Sequence, residues 1–397
     1  MADRPLKVAW ISSFPIEWLP GVPPPVAALP RSHPAPWRRV LLGELKGEKS
    51  LELHVFAARK EFDRHRTFQL DGVTFHCLKL PPGVRTLSLF WWETLLIQRA
   101  LKRIGPDVVQ AWGSERGAAL VATRLGYPYF VSMQGLLEWC LPHKTRIGFR
   151  GMARLEARLE RASLSRAAVA TAESTFSVNW LRQHYPHLEV YHVEHSPNWL
   201  FYRVERQPQT VPLQFLFNST VAFQKGADLL FLALNKLRDE LDFRLTIIGG
   251  KDSSTPRFLP QIQAATSPVL WERITFREGL TQEQVAQELA QTTLLLMPTR
   301  ADTGPMAVKE AAVAGVPVVG SRVGGIPDYI VPGQNGFLFP PEDLAAFVGA
   351  IREACAHPQI SRGLVDPATL AKIRDHLSPR HMAEGFLDLY RRLGARK

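Results

Sequence analysis

The residues best suited to chemistry lie in a polar loop in the second half of the sequence. An apolar run at 294–297 is typical of a buried strand, the loop after it contains Asp302, and a predicted helix starts near Met306 and carries Glu310. Ligands of open α/β sheets bind beyond the carboxyl ends of strands, and free amides at a helix start favour anions and hydroxyls. Asp302 and Glu310 are therefore predicted to reach different parts of one ligand. Taken alone, they are equally compatible with a helix cap and a solvated glutamate.

The elements that must position these residues form a regular alternation of short apolar runs and amphipathic stretches. In the first half we predict strands at 7–12, 51–57, 73–80, 107–111, 129–132 and 168–172, and helices at 117–125 and 146–165. In the second half we predict strands at 213–217, 243–248, 274–276, 294–297 and 318–320, and helices at 227–237, 282–291, 306–314 and 343–355. This pattern predicts an α/β fold of two Rossmann-like, doubly wound parallel-sheet domains, for which 397 residues with 46% hydrophobic side chains suffice.

The periodicity is interrupted between 196 and 212, so the domain boundary is placed there. We expect an N-terminal domain at 1–200 and a C-terminal domain at 205–378, with a last helix at 380–394 that packs back on the first domain. A proline-rich stretch at 13–37 follows the first predicted strand, which favours a substrate-lining loop over a linker.

Most of the net charge of +11 belongs to the first half of the chain. Such basicity suits a phosphorylated substrate, an anionic membrane surface or nucleic acid, but no nucleic-acid-binding module accompanies it, so nucleic acid is not an expected partner. Paired tryptophans beside a cation, in Arg85 through Trp92, favour a membrane interface, with ordinary core aromatics as the alternative.

The cysteine and histidine patterns give little support to a metal or a disulfide framework. The cysteines at 77, 140 and 355 are far apart, and neither a signal peptide nor a membrane-spanning run is visible, which predicts a cytoplasmic protein. His184, His187, His192 and His195 resemble a zinc cluster, but the last two are predicted on opposite faces of a strand. No Asp-x-Asp triplet occurs, so we expect no metal.

The ordered run from 297 to 340, with Gly315-Val316-Pro317 and Gly324-Gly325 at fixed spacing after Glu310, resembles the donor domain of the retaining family 4 glycosyltransferases. The resemblance covers about 120 residues well, and it implies the two-domain GT-B fold with a central cleft. It also implies a nucleoside-diphosphate sugar as donor substrate, with no cofactor.

The resemblance assigns roles to residues of the second domain. Asp302 stands where the family has a glutamate near the donor sugar, and Glu310 matches the glutamate at the nucleotide ribose. Lys225 matches a lysine that holds the diphosphate, while Thr220 replaces the arginine usual beside it. Arg300 and Arg322 are candidates to supply that second charge. The remaining positions assigned to the donor are Gly249, Gly304, Pro305 and Met306, with Pro305 in place of the family's glycine.

Two residues of the first domain complete the predicted site. Gln134 stands where the family often has histidine, and its amide can hydrogen-bond a sugar hydroxyl but cannot act as an acid or base. Gly21 is a weak match to the family's glycine-rich loop near the donor phosphates. These departures mark a divergent sequence.

The sequence thus predicts a metal-independent retaining glycosyltransferase that uses a glycan, a lipid-linked compound or another hydroxyl acceptor. Asp302, Lys225 and Glu310 are its catalytic candidates. A peripheral contact with the inner face of the membrane is a further expectation. The alternatives are a sugar-nucleotide isomerase of the 2-epimerase type on the same fold, and a degenerate, non-catalytic sugar-nucleotide-binding protein.

Overall fold

The computed structural model describes residues 4–32, 35–144, 150–251 and 255–395. The chain divides into two compact units. Unit 1 comprises Met1–Glu138, Gly151–Glu194 and Pro379–Lys397, and unit 2 comprises Trp139–Arg150 and His195–Ser378. The last segment of the chain therefore belongs to unit 1.

The sheet of unit 1 has the strand order β3-β4-β2-β1-β5-β6-β7-β8. All neighbouring strands are parallel except β3 and β4, which pair antiparallel at the edge. The strands are β1 Leu6–Ser12, β2 Leu51–Arg59, β3 Arg66–Leu70, β4 Val73–Lys79, β5 Val108–Trp112, β6 Tyr129–Ser132, β7 Val169–Ala172 and β8 Glu189–His192. The order reverses between β1 and β5, which is where ligands of doubly wound sheets bind.

The sheet of unit 2 is parallel throughout and has the order β11-β10-β9-β12-β13-β14. Its strands are β9 Leu213–Asn218, β10 Phe243–Ile248, β11 Ile274–Arg277, β12 Leu294–Met297, β13 Val318–Ser321 and β14 Gly336–Phe339. The central strand β12 is buried along its whole length, as expected for a parallel strand covered on both faces. Here the order reverses between β9 and β12.

Helices connect the strands in both units. They are α1 Pro24–Ala27, α2 Pro36–Leu45, α3 Val84–Leu87, α4 Trp91–Ile104, α5 Ala118–Ala122, α6 Leu137–Lys144, α7 Arg150–Leu164, α8 Thr175–His184, α9 Trp199–Tyr202, α10 Ala227–Leu237, α11 Thr255–Ala265, α12 Pro268–Glu272, α13 Gln282–Gln291, α14 Met306–Ala314, α15 Leu344–Ala356, α16 Pro367–His376 and α17 Pro379–Gly394. Short 3₁₀ turns lie at Ile16–Trp18, Glu115–Gly117, Ile326–Tyr329 and Ile360–Arg362. None of the helices within the described residues is long and apolar enough to cross a bilayer.

The final helix, α17, is part of the core of unit 1. Met382, Phe386 and Tyr390 pack in the same buried apolar cluster as Trp10 of the central strand β1. Trp10 Nε1 donates to the Tyr390 hydroxyl at 2.9 Å, and that hydroxyl donates to Gln110 of β5. A buried hydroxyl with both a donor and an acceptor partner fixes the position of this helix.

The parallel two-sheet architecture predicted from the sequence is confirmed, with differences at the sheet edges. The prediction lacked β3 and β14. Strand β3 carries polar residues and alternates between half-buried and exposed positions, and Asp71-Gly72 joins it to β4 as a two-residue hairpin turn with positive φ at both residues. The stretch expected as one loop at 13–37 contains α1 and the start of α2. Residues 146–149 of the predicted helix at 146–165 lie outside the described residues.

Candidate functional site

The predicted site of unit 2 lies at the point where its strand order reverses. The loop after β9 and the loop after β12 run side by side there and are held by backbone hydrogen bonds. The carbonyl of Gln224 accepts from the backbone N–H of Arg300 at 2.8 Å and from Thr299 Oγ1 at 3.1 Å. The Gln224 side-chain amide donates to the carbonyl of Ala301 at 2.9 Å. These hydrogen bonds therefore hold the two loops together as one edge of unit 2, from which α10 and α14 begin.

Lys225 and Asp302 face each other across this edge. The Lys225 ammonium donates to a carboxylate oxygen of Asp302, and the other oxygen lies 3.4 Å from the backbone N–H of Gly304. The side chains keep 27% and 15% of their surface exposed, respectively. A ligand can therefore reach both charges, and each holds the other in place.

Glu310 lies in α14 and is buried. Its nearest polar partner is the Asn218 side-chain amide at the end of β9, at 3.5 Å. Burial raises the pKa of Glu310 to about 8, because the charged form loses its water without a close cation to replace it. Near neutral pH the carboxyl group of Glu310 thus holds a proton.

Glycines allow the loops to approach closely. At Gly226, which precedes α10 with φ +70°, a Cβ would lie 1.8 Å from the carbonyl oxygen of Pro298. At Gly324, with φ +56°, a Cβ would lie 1.7 Å from the carbonyl oxygen of Asp302. At Gly249, after β10, it would lie 2.4 Å from the carbonyl oxygen of Ser219. Only glycine satisfies both the left-handed backbone and these approaches.

Arg300 is not available as the second cation at the diphosphate. Its guanidinium donates to both carboxylate oxygens of Asp228 at 2.7 and 2.9 Å and lies over the ring of Phe223. A fork-to-fork pair of this kind ties the loop after β12 to α10. Arg322 is exposed and Thr220 is half-buried, so Lys225 is the cation that the structure places beside Asp302.

The remaining predicted residues of unit 2 surround the same edge. Gly304 and Pro305 follow Asp302, Pro305 precedes α14, and Met306 opens the helix. The backbone N–H groups of Val308 and Lys309 bond to the carbonyl of Pro305, at 3.0 and 3.2 Å. The loop thus passes directly into the helix that carries Glu310.

Gln134 and Gly21, the predicted site residues of unit 1, lie next to different strands of that unit. Gln134 follows β6 and lies against Gly113, where a Cβ would approach the Gln134 amide nitrogen to 2.6 Å. Gly113 directly follows β5, so Gln134 lies near the strand reversal of the unit 1 sheet. Gly21 is exposed with φ +79° and lies near Leu70 of β3.

Two sequence-family models match the chain and together span most of it. "Glycosyl transferases group 1" matches residues 212–357, and "Glycosyl transferase 4-like domain" matches residues 39–199. Both halves of the chain thus match glycosyl transferase models, and the chain is a divergent family 4 glycosyl transferase.

Individual relatives of this glycosyl transferase are distant. D-inositol 3-phosphate glycosyltransferase of Streptomyces avermitilis is 29% identical over 154 residues, 37% of this chain and 33% of that one. The match thus spans about a third of the length of this curated relative.

Solved structures show the same GT-B fold over nearly the whole chain. Sucrose-phosphate synthase from Thermosynechococcus elongatus superimposes with a TM-score of 0.79 at 17% identity, covering 99% of this chain and 100% of that one. HepE from Anabaena, in complex with UDP-glucose, gives a TM-score of 0.70 at 12% identity, covering 97% and 99%.

Two contacts of this glycosyl transferase were missed by the sequence prediction. Asn218 is the last residue of β9 and directly follows the apolar run Phe215-Leu216-Phe217, and a polar strand terminus beside a loop was the available signal. No signal in the sequence indicated the pairing of Arg300 with Asp228, because the two residues are distant in sequence. Among the described residues, no cluster of three or more His, Cys, Asp or Glu side chains could hold a metal ion.

Proposed function

We propose that this protein transfers a glycosyl group from a nucleoside-diphosphate sugar to a hydroxyl acceptor, with retention of the anomeric configuration and without a metal ion. The observation that carries the proposal is the Lys225–Asp302 ion pair at the strand reversal of unit 2. A cation and a carboxylate that both reach solvent there suit a ligand with an anionic part and a hydroxyl-rich part.

The positive charge of Lys225 is suited to bind the diphosphate of the proposed donor. Lys225 neutralises the negative charge that grows on the leaving phosphate while the glycosidic bond breaks, as a fixed donor does at a developing anion. HepE contains UDP-glucose in its structure, and we propose the same ligand class for this chain. Thr220 and Lys225 both belong to the loop between β9 and α10.

The carboxyl groups suit the sugar and the ribose. Asp302 would accept hydrogen bonds from sugar hydroxyls, supported by the amide of Gly304 and by the turn through Pro305 and Met306. Glu310 would hold the ribose hydroxyls from within α14. Gly249 lacks a side chain and so lets the loop after β10 approach Ser219 in the loop after β9, and we propose that it lies near the nucleotide.

The proposed reaction needs no enzymatic base. The bond between the anomeric carbon and the leaving phosphate oxygen breaks, and the acceptor oxygen forms its bond on the same face. The proton of the acceptor hydroxyl passes to the leaving phosphate. Gln134, which cannot take a proton at neutral pH, and Gly21 would then serve only to bind. The acceptor class is a glycan, a lipid-linked compound or another hydroxyl compound.

The proposal is tested by ligand-induced stabilisation and by product analysis. Nucleoside diphosphates and their sugars are screened for a rise in Tm, and the donor that raises it is incubated with acceptors for NMR of the new anomeric signal. We expect a rise in Tm with the donor, a product that keeps the anomeric configuration of the donor, and no loss of transfer activity when EDTA is added. An epimer formed without acceptor would support the isomerase instead, and binding without any turnover would support a non-catalytic protein.

We further propose a peripheral contact of unit 1 with an anionic membrane. The support is an exposed apolar surface at the start of α4, where Leu87 is 87%, Trp91 54% and Trp92 47% exposed. Arg124 stacks over Trp91 with its guanidinium 4.4 Å from the ring centroid. We name this surface the tryptophan patch; its residues are Leu87, Leu89, Trp91, Trp92 and Leu95. Exposed tryptophans beside cations favour the headgroup region.

Co-flotation with lipid vesicles tests whether the tryptophan patch contacts a membrane. We expect binding to vesicles that contain phosphatidylglycerol, and its loss in the Trp91→Ser/Trp92→Ser double variant. Trp199→Ser, which replaces a tryptophan of unit 2 that is 39% exposed, is the matched control and should bind as the parent does. Absence of binding by the parent protein would exclude the contact.

A further inference from the structure

A cavity of about 450 Å³ opens within unit 1, and neither Gln134 nor Gly21 is among its lining residues. It lies at the carboxyl edge of the sheet, between the loops that follow β1, β2, β4 and β5. Its lining includes Ser13 after β1, residues 58–61 at the end of β2 and just beyond it, and Arg116 after β5. This edge is where ligands of such sheets bind, and the volume suits a small molecule.

Two arginines of the cavity are fixed by carboxylates and form its wall. Arg59 donates to Glu17 at 2.7 Å and to the carbonyl of Pro30 at 3.0 Å. Arg85 donates to both oxygens of Glu93, at 2.7 and 2.9 Å. Because these charges are balanced by buried partners, the wall is rigid and contributes little net charge.

Three further cations of the lining, Arg31, Lys60 and Arg116, are exposed. Within the described ranges none of them has a carboxylate at salt-bridge distance. The lining contains one acid, Glu61, and it lies 3.5 Å from the already paired Arg59. Arg31 rests over the ring of Trp18, 4.6 Å from its centroid, which positions it without neutralising it. The cavity is therefore rigid and positively charged.

The backbone at Arg116 is strained, and a buried cation of α2, Arg38, lies near it. Arg116 has φ +57°, a left-handed conformation that is unfavourable for a side-chain-bearing residue and is concentrated at functional sites. Nearby Arg38 is 5% exposed, and its Nε and Nη1 have no hydrogen-bond partner among the residues described. Burial lowers the pKa of Arg38 to about 10; the charge of Glu115 opposes this, and that of Arg116 adds to it. An anion at this edge would relieve the repulsion between the two arginines.

We propose that this cavity binds a phosphate group carried by the acceptor. Arg31, Lys60 and Arg116 would contact the phosphate oxygens, and Ser13 can donate a hydroxyl hydrogen bond to them. A doubly charged oxyanion matches several unpaired cations in one small cavity better than a neutral sugar does. The inference rests on the proposed transfer reaction, because it names the chemical class of the acceptor.

The first experiment measures binding to the full-length protein by calorimetry, with glycerol 3-phosphate as the probe and glycerol as its uncharged counterpart. We expect binding of glycerol 3-phosphate and none of glycerol. The Arg31→Gln/Lys60→Gln/Arg116→Gln variant should lose at least tenfold in affinity. The matched control, Lys49→Gln/Arg154→Gln/Arg158→Gln, removes the same charge from exposed positions elsewhere in unit 1 and should stay within twofold of the parent.

Equal losses in the two triple variants would overturn the proposal, because they would show only a general effect of net charge. So would a parent protein that does not distinguish glycerol 3-phosphate from glycerol. The nucleotide-dependent rise in Tm is measured on the same samples and should be unchanged in both variants. Its absence from the parent would contradict the proposed transferase while leaving the phosphate site to be judged by the calorimetry.

A second experiment distinguishes a soluble phosphate ester from a phospholipid headgroup. Neutral phosphatidylcholine vesicles are compared with vesicles that contain phosphatidic acid. If the phosphate comes from a lipid, the cavity variant should lose binding to the latter and glycerol 3-phosphate should compete with them. Vesicle binding that neither the variant nor the competitor reduces assigns the cavity to a soluble ester.

Discussion

Lys225 and Asp302, which are 77 positions apart in the sequence, form an ion pair. The pair joins the loop after β9 to the loop after β12, at the one place in the unit 2 sheet where the strand order reverses. A diphosphate that approaches Lys225 competes with Asp302 for the ammonium group. Donor binding would thus redirect the Asp302 carboxylate towards the hydroxyls of the sugar. The Asp302 carboxylate would therefore hold Lys225 in position before the donor binds and accept hydrogen bonds from the sugar afterwards.

Alanine substitutions should separate the roles of the two carboxyl groups. Asp302→Ala should lower kcat by about 100-fold, the typical effect of removing one polar contact at a reacting centre, with little change in nucleotide affinity. Glu310→Ala should weaken nucleotide binding by about tenfold, or ~1.4 kcal/mol. Calorimetry with the nucleoside diphosphate and steady-state transfer kinetics measure the two effects. Variants that both retain parental binding and turnover would refute the assignment.

The buried carboxyl group of Glu310 should make stability depend on pH. Its pKa is about 8 in the folded protein against an ordinary value of 4.5. Between these values the folded state keeps a proton that the unfolded chain has released, so the free energy of unfolding falls as pH rises and levels off above pH 8. Glu310→Gln, which has nearly the same shape and does not titrate, should lack this fall.

The test compares the Tm of the parent and of Glu310→Gln from about pH 5 to about pH 9. The difference in Tm, variant minus parent, should grow with pH across this range. Parallel curves would show that Glu310 ionises in the folded protein as it does in the unfolded chain.

Two glycines with similar backbones provide a matched pair for the close approach at Asp302. Gly324 has φ +56° and a Cβ there would lie 1.7 Å from the Asp302 carbonyl oxygen, whereas Gly333 has φ +75° and nothing within 4 Å. Both alanine variants should lose about 1 kcal/mol of stability through their left-handed backbones. Gly324→Ala should in addition displace the loop and lower kcat at least tenfold. The same kcat in both variants would show that the loop tolerates the shift.

The pair of Arg300 and Asp228 should stabilise the site without contacting the ligand. Arg300 is 5% exposed, so Asp228→Asn leaves a buried cation with a weakened partner and should cost about 3 kcal/mol by chemical denaturation. Removing both charges in Arg300→Met/Asp228→Asn should cost less than the sum of the single variants. If Arg300→Met stays folded and loses nucleotide affinity, Arg300 contacts the donor after all.

The sequence predicted the central strands well because they are short, apolar and flanked by helices, as at 294–297 and 243–248. It missed β3, whose polar alternation reflects an edge position, although Asp71-Gly72 gave a hairpin signal. The carboxyl-edge location of Asp302 and Lys225 was also predictable, since parallel strands end at one edge. The pairing of Arg300 with Asp228 was not, because a partner chosen by three-dimensional proximity leaves no trace in the spacing of one sequence.

The contact between Tyr390 and Trp10 joins the last helix to the first strand. Unit 2 consists of His195–Ser378 and one short earlier segment, Trp139–Arg150. The core of unit 1, by contrast, includes side chains of both β1 and α17. During synthesis, which proceeds from the N-terminus, unit 2 can complete its sheet while unit 1 still lacks Phe386 and Tyr390. Of the two units, unit 1 would begin translation earlier and be completed later, and the surface beside Trp10 would stay uncovered until α17 is available to pack on it.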